Sequence, residues 1–171
     1  MIARNWLPAL LSLIVTACAQ IPEGVVAVDD FDAGRYLGTW YEIARLDHRF
    51  ERGLTRVTAT YAARADGGID VVNRGFDAAA GVWREARGKA RFVGSRDVGE
   101  LEVSFFGPFY GGYNVIELAP DYTYSLVAGP SRSYLWILAR QPNLPGEVVD
   151  RLVARARDLG FAADQLIFVR H

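Results

Sequence analysis

The chain of 171 residues is poor in cysteine and histidine, the side chains on which many metal sites depend. It has one cysteine, two histidines (His48 and His171) and no run of five or six like charges. A single cysteine cannot form an internal disulfide, and the two histidines lack the spacing of metal ligands. A net charge of −1 without such a run of like charges argues against a nucleic-acid partner. We therefore expect no metal, no cofactor and no nucleic acid.

The parts of a serine hydrolase are also missing. The sequence has no Gly-x-Ser-x-Gly motif, and a serine nucleophile needs a base and a residue that orients it. The remaining combination is His48 beside Asp47, with Ser131 or Ser133 as the nucleophile. A loop histidine without a catalytic role is the simpler interpretation. We predict no catalytic residue and no enzymatic activity.

The apolar run at the N-terminus is an export signal and not a membrane span. Arg4 supplies a positive charge, and residues 6–16 form an apolar stretch too short to cross a bilayer. Residues 1–17 are therefore predicted to be a signal peptide that takes no part in the fold.

The end of this signal has the form of a lipoprotein processing site. Residues 15–18, Val-Thr-Ala-Cys, resemble a lipobox, in which Cys18 would be diacylated and become the first mature residue. Two acyl chains suffice for stable anchoring. A plain secretory signal is the alternative, because its cleavage sites also end in small residues. Ala19 follows the cysteine, and by resemblance to Gram-negative lipoproteins this favours the periplasmic side of the outer membrane.

The rest of the chain has the turn spacing of an all-β domain. Residues 18–33 are predicted to be a lipidated N-terminus and tether, and residues 34–171 one domain. Turn signals recur every eight to twelve residues, which indicates a barrel or sandwich. The predicted strands are 37–46, 55–63, 69–76, 82–92, 100–106, 112–118, 122–128 and 134–140.

A helical period occurs once, near the C-terminus. Pro145 fits the first helical position and Gly160 the residue just past the end, with apolar residues at a spacing of three and four between them. The apolar face is predicted to pack on the barrel wall. A membrane-surface helix is the alternative, but the opposite face is mixed in charge. Residues 166–169 follow as a short ninth strand.

Three segments carry a family resemblance. Residues 38–40 (Gly-Thr-Trp) open the first strand, residues 120–122 (Pro-Asp-Tyr) lie between the sixth and seventh strands, and Arg140 ends the eighth. As a set they resemble the motifs of the lipocalins, specifically bacterial outer-membrane lipoprotein lipocalins and their relative apolipoprotein D. Proline stands at position 120, where threonine is commoner in the family.

The resemblance implies an all-β fold, an eight-stranded up-and-down antiparallel β-barrel with one C-terminal α-helix packed outside and a short ninth strand. It also implies structural roles for Gly38, Trp40, Asp121 and Arg140 at the closed end of the barrel, called the floor below. The Arg140 guanidinium should stack on Trp40, which is worth about 0.5–2 kcal/mol.

The same resemblance implies a lipid pocket in the lumen, with a tryptophan of the eighth strand in its wall. Strand alternation then gives the inward-facing set. The predicted ligand-binding residues are Tyr61, Asn73, Phe105, Tyr113, Trp136 and Leu138. A barrel packed solid by these aromatics is the alternative. Glu117 also has inward parity, and because a buried carboxylate needs a partner we expect a bulge there, or an arginine that reaches it.

Chain order places the loops 46–54, 77–81, 107–112 and 129–133 at the open end. Arg49, Arg52 and Arg132 in these loops could pair with a phosphate or carboxylate head group, or they are simply solvated charges. Residues 107–112 are predicted to be a rim loop that carries Phe109 and Tyr110. A phosphate cradle is the alternative, but no Lys-Ser/Thr follows and no helix begins there.

The expected function is to bind and store or transport a fatty acid or lysophospholipid in the barrel at the cell envelope, with acylated Cys18 in the membrane. Two alternatives remain. One is an envelope interaction protein with a filled barrel, whose rim or helix docks a partner, or a second copy of the chain to form a homodimer. The other is a lipid-modifying enzyme.

Overall fold

The computed structural model describes residues 21–171, so Cys18 and the predicted signal peptide lie outside the described residues. The elements, in chain order, are α1 (Ala33–Tyr36), β1 (Gly38–Arg45), β2 (Leu54–Ala63), β3 (Ile69–Asp77), β4 (Val82–Phe92), β5 (Glu100–Phe106), β6 (Phe109–Leu118), β7 (Tyr124–Ala128), β8 (Leu135–Ala139), α2 (Gly146–Asp158), a 3₁₀ turn (Ala163–Gln165) and β9 (Ile167–Phe168). In residues 21–171 no helix is long and apolar enough to cross a membrane.

The first eight strands close into a barrel because β1 pairs with both β2 and β8. Tyr41 lies opposite Thr58 on one side and Ala139 on the other. Consecutive strands are antiparallel throughout, and β9 adds to the upper end of β1, where Phe168 faces Ala44. The predicted eight-stranded up-and-down barrel with a short ninth strand is confirmed.

Two apolar cores hold the fold together. One lies between the outer face of the sheet and α2, where Leu152 and Ala156 are fully buried. The other fills the lower lumen around Trp40 and Val115. Helix α2 begins at Gly146, one residue later than predicted, because Pro145 is its N-cap and not its first helical residue, and the helix packs outside the barrel as predicted.

Strand β6 contains the expected irregularity at Glu117. Its register with β7 shifts between Val115 and Glu117, so that the carboxylate points outward to α2. There Arg151 donates a hydrogen bond to Glu117 Oε1. Both anticipated solutions, a bulge and an arginine partner, occur together, and the charge stays out of the lumen.

The prediction that residues 107–112 form a rim loop is wrong. Strands β5 and β6 meet in a tight hairpin, in which Phe106 lies opposite Phe109 and a cis Gly107–Pro108 bond joins the strands. The glycines at 111 and 112 continue the strand pairing, because the ladder of a hairpin overrides the low intrinsic strand preference of glycine. Phe109 and Tyr110 are therefore strand residues, although they still lie at the open end.

Candidate functional site

The lumen contains one elongated cavity that opens between the rim loops. Its empty volume is about 740 Å³, including the space open to solvent at the mouth. All six residues predicted from strand parity line it: Tyr61, Asn73, Phe105, Tyr113, Trp136 and Leu138. The remaining wall is largely aliphatic, with Val57, Val71, Val103 and Leu101 among its residues. Such a surface suits an apolar ligand.

The bottom of the cavity is a network of tyrosine hydroxyls. The Tyr113 hydroxyl lies 2.8 Å from both the Tyr36 and the Tyr61 hydroxyls, and Tyr36 lies 3.2 Å from Ser125 Oγ. Burial raises the pKa of Tyr36 to about 12 and raises the pKa values of Tyr61 and Tyr113 as well. The lower lumen therefore presents neutral hydroxyls to a ligand.

Trp40 seals the barrel below this network. Its side chain is fully buried, and its indole N–H donates to the Tyr36 carbonyl at 2.8 Å. The Arg140 guanidinium stacks on its outer face, 4.0 Å from the ring centroid, and donates to the carbonyls of Thr39 and Arg35. The predicted stack of arginine on tryptophan is thus present in the structure.

Gly38 and Asp121 complete the closed end. The φ of Gly38 is +95°, and a Cβ at this position would lie 3.3 Å from Nη1 of Arg140, so a side chain here would be strained and would crowd the stack. The Asp121 carboxylate accepts hydrogen bonds from the backbone N–H and the hydroxyl of Thr123. This fixes the turn between β6 and β7.

The upper lumen contains a buried network of charged groups that sequence reasoning missed. Arg45 Nη1 donates to Glu42 Oε1 at 2.6 Å, and Nη2 donates to the Glu51 carbonyl at 2.7 Å. The Glu51 carboxylate lies 2.9 Å from Nε2 of His48 and accepts a hydrogen bond of 3.1 Å from the Trp136 indole. Glu42, Glu51 and Trp136 all line the cavity.

The pKa values of the two carboxyls in this network are shifted in opposite directions. Burial, and then the negative charge of Glu51, raise the pKa of Glu42 well above its ordinary value, although Arg45 opposes the shift. For Glu51, burial also acts to raise the pKa. The close contact with His48, the hydrogen bond from the Trp136 indole and the charge of Arg45 together outweigh burial, so the pKa of Glu51 is lowered. Glu51 is therefore ionised at neutral pH, whereas Glu42 keeps its proton to a higher pH than an ordinary carboxyl does.

Part of this network was accessible from sequence. Alternation along β1 from the inward Trp40 places Glu42 in the lumen. The register of β1 then shifts between Glu42 and Ala44, and Arg45 turns inward opposite Trp136. Simple alternation cannot anticipate such a shift. Glu51 lies in the loop between β1 and β2, where no period applies.

The three rim arginines have different surroundings. Arg49 lies with its guanidinium 4.9 Å from the ring centroid of Phe50. Arg52 is paired with Asp47 at 2.7 Å on the exposed surface. Arg132 instead donates to two backbone carbonyls, those of Leu159 at 2.8 Å and Glu23 at 2.7 Å. Its side chain therefore already has a structural role outside the mouth.

Substituting Glu42 by glutamine should change how stability depends on pH. Below the ordinary carboxyl pKa of 4.5, Glu42 is protonated in both the folded and the unfolded chain. Above it the unfolded chain ionises first, so the contribution of Glu42 to stability falls as pH rises toward the raised folded pKa. The free energy of unfolding of the wild type, minus that of Glu42→Gln, should therefore decrease with pH. Urea denaturation of both proteins between about pH 4 and 8 measures this difference in unfolding free energy. A difference that does not change with pH would contradict the raised pKa of Glu42.

The barrel is closed by a tryptophan floor, is open at the other end and contains a cavity with an apolar wall. These features define the class of barrels that hold a small hydrophobic ligand. The family model of the lipocalin-like domain matches residues 31–171 of this sequence. The chain belongs to the lipocalin family.

The sequence similarity to known proteins extends beyond the barrel motifs. The chain is 52% identical to the outer membrane lipoprotein Blc of Escherichia coli K12 over 164 residues, 95% of this chain and 93% of that protein. It is 33% identical to mouse apolipoprotein D over 132 residues, 72% and 68% of the two chains. Insecticyanin from the tobacco hornworm matches in fold with a TM-score of 0.69, at 23% identity, over 88% of this chain and 86% of that one.

Proposed function

We propose that the protein binds one acyl-chain lipid, a fatty acid or a lysophospholipid, in the barrel lumen at the periplasmic side of the outer membrane. The observation that carries the proposal is the apolar cavity above the tyrosine floor, with Trp136 in its wall. Relatives named outer membrane lipoproteins support the location, with residues 1–17 as the signal peptide, Cys18 as the acylated residue and the chain to residue 33 as its tether.

The chemistry of the lumen favours a ligand with its tail pointing down. Burying a methylene contributes about 0.8 kcal/mol, so a sixteen-carbon chain gains roughly 12 kcal/mol before association costs of about 4–15 kcal/mol. After these association costs, micromolar or somewhat tighter binding is expected. The neutral hydroxyls of Tyr36, Tyr61 and Tyr113 offer no countercharge at the bottom. Burying an ionised head group there would therefore cost its hydration free energy without compensation, so the head group should stay near the mouth.

The charged network strengthens this orientation. Arg45 is already occupied by Glu42 and by the Glu51 carbonyl, and the ionised Glu51 carboxylate would repel an anionic head group that entered the upper lumen. We therefore place the head group outside this network, at the rim. Arg49 is the first residue we propose to contact it. Arg52 would have to exchange Asp47 for the ligand, and Arg132 would have to give up two carbonyls.

Two alternatives carry less support. His48, the base that an ester hydrolase would need, lies 2.9 Å from Glu51 and packs against the rings of Phe50, Tyr134 and Trp136. We assign it a structural role and propose no catalytic function. Docking of a partner or of a second copy at the rim stays a prediction from sequence, and size-exclusion chromatography with and without lipid would test it.

Tryptophan fluorescence should report binding. The chain from residue 19 onward has three tryptophans, of which Trp136 lines the cavity, Trp40 is sealed in the floor and Trp83 is exposed. Titration with palmitate or a palmitoyl lysophospholipid should give saturable quenching near micromolar concentration. Trp136→Phe should remove most of the signal.

Trp83→Phe is the matched control, and its quenching on titration should equal that of the wild type. The lipid that saturates at the lower concentration identifies the preferred head group. Arg49→Ala should weaken that lipid's binding relative to Arg96→Ala, an arginine of a floor loop. If neither lipid changes the fluorescence of the wild type, the proposal is wrong.

A further inference from the structure

The N-terminal segment joins the barrel at its open end. Arg132 lies between β7 and β8, in a loop of the open end, and its Nη2 donates to the Glu23 carbonyl at 2.7 Å. Its Nε donates to the Leu159 carbonyl at the upper end of α2. This arginine therefore fixes Glu23 beside the mouth.

From Glu23 the chain descends to the floor before β1 begins. The N–H of Val28 donates to the Val115 carbonyl at 2.8 Å, and the Val28 carbonyl accepts from Gly99, which follows the floor loop between β4 and β5. Phe31 then packs under the barrel, with its N–H on the Asp97 carbonyl. Residues that precede Glu23 are thus attached to the open end and not to the floor.

The length of chain between Cys18 and Glu23 limits where an anchor can lie. Five residues, even fully extended, span at most about 18 Å. Strand β3 has nine residues, and a strand of that length, tilted by about 40°, rises about 23 Å along a barrel axis. An acyl anchor on Cys18 can therefore reach a membrane at the mouth. It cannot reach past the barrel to a membrane below the floor.

Exposed apolar side chains concentrate at the same end. Phe106 and Phe109, at the tip of the β5–β6 hairpin, are 74% and 78% exposed. Phe50, in the loop after β1, and Val82 and Trp83, at the start of β4, are exposed as well. Val93 is the exposed large apolar residue in a floor loop. Clustered exposed aromatics are typical of surfaces that enter a membrane interface.

The charge of the open end suits an anionic lipid surface. Residues 46–57, 74–87 and 129–134 contain seven arginines and four acidic residues, whereas the whole chain has a net charge of −1. Basic groups near an anionic leaflet strengthen attachment to it. The position of the anchor, the exposed apolar side chains and the basic charge all favour the open end as the end that contacts a membrane.

We propose that the open end is a membrane-binding surface, held against the bilayer by the acylated N-terminus and by the apolar tips of the rim. This orientation rests on the acylation of Cys18 and on the proposed lipid ligand. It gives the ligand a path between bilayer and lumen in which the acyl chain does not cross water.

A pair of matched cysteine variants tests the orientation. Ala79 lies in the open-end loop between β3 and β4, and Ala65 lies in the floor loop between β2 and β3; both are exposed alanines. Because Cys18 is the only cysteine of the chain and would be acylated, the introduced thiol is the one that labels. Full-length, lipid-modified Ala79→Cys and Ala65→Cys would each carry a polarity-sensitive fluorophore, in vesicles of phosphatidylethanolamine and phosphatidylglycerol that contain a head-group spin label.

The label at position 79 should shift to the blue and be quenched by the spin-labelled lipid, and the label at position 65 should do neither. Adding Phe106→Ser and Phe109→Ser to the Ala79→Cys protein should reduce the blue shift while the protein still floats with the vesicles. Val93→Ser in the same background is the control and should leave the shift intact.

Three results would overturn the orientation: quenching at position 65 alone, equal quenching at both positions, or a full-length protein that does not float with vesicles. The tryptophan titration keeps this outcome separate from the proposed function. If lipid still quenches Trp136 in a protein whose mouth is away from the bilayer, the orientation alone is wrong. A mouth at the membrane without any lipid binding would contradict the proposed ligand instead.

Discussion

Replacing Arg45 by methionine should lower the free energy of unfolding by about 3–5 kcal/mol. The guanidinium is buried between Glu42 and the Glu51 carbonyl, and its charge balances the ionised Glu51 carboxylate. Methionine fills much of the same volume but leaves that carboxylate without its countercharge and two buried acceptors without their donor. Urea denaturation of the chain from residue 19 onward at pH 7 measures the loss.

A double-mutant cycle separates the loss of charge from the loss of packing. Glu42→Gln should cost little by itself, because the amide imitates the protonated carboxyl. In combination with Arg45→Met it should recover part of the stability, because the loss of Arg45 raises the pKa of Glu42 further and the amide removes the cost of protonating that carboxyl. A cost below about 1 kcal/mol for Arg45→Met would show that the network is not coupled in this way.

The second large effect is expected at Trp40. Trp40→Ala should destabilise the fold by about 3–5 kcal/mol, because it removes a fully buried ring and leaves a cavity at the base of the barrel. The stack with Arg140 and the hydrogen bond to the Tyr36 carbonyl disappear at the same time. Thermal and urea unfolding of the purified variant would measure the difference.

An equally large ring at the surface provides the control. Trp83 is exposed and packs against Phe76 on the outside of the sheet, so Trp83→Ala should cost much less than Trp40→Ala. Trp40→Phe should lie between the two, because it keeps an aromatic ring under the arginine but loses the indole N–H. Similar costs for Trp40→Ala and Trp83→Ala would contradict the role of the floor.

The sequence was a good guide wherever one simple period held. Turn residues gave the strand count, and the family resemblance together with strand alternation identified six residues that do line the cavity. The helix from Gly146 also followed its apolar spacing. These features depend on local rules, in which each position is related to its neighbours along the chain.

The misses occur where strands shift register or where loops fold inward. The shift in β1 brings Arg45 beside Glu42, and the loop after β1 brings Glu51 to both. The hairpin at Phe106 and Phe109 was mistaken for a loop because its glycines resemble turn residues. Only three-dimensional contacts reveal that Arg132 fixes Glu23 to the open end and is not free in the mouth.

The pairing of β1 with β8 has a consequence for how the protein matures. Tyr41 and Ala139 are about 100 residues apart in the chain, yet their contact is what closes the barrel. Contacts so distant in sequence make folding slow. A chain delivered N-terminus first cannot make this contact until its last barrel strand has been exported. Until then the edges of β1 and of the last strand exported can pair with other chains, so the newly exported protein passes through a period of exposure to aggregation before it can accept a ligand.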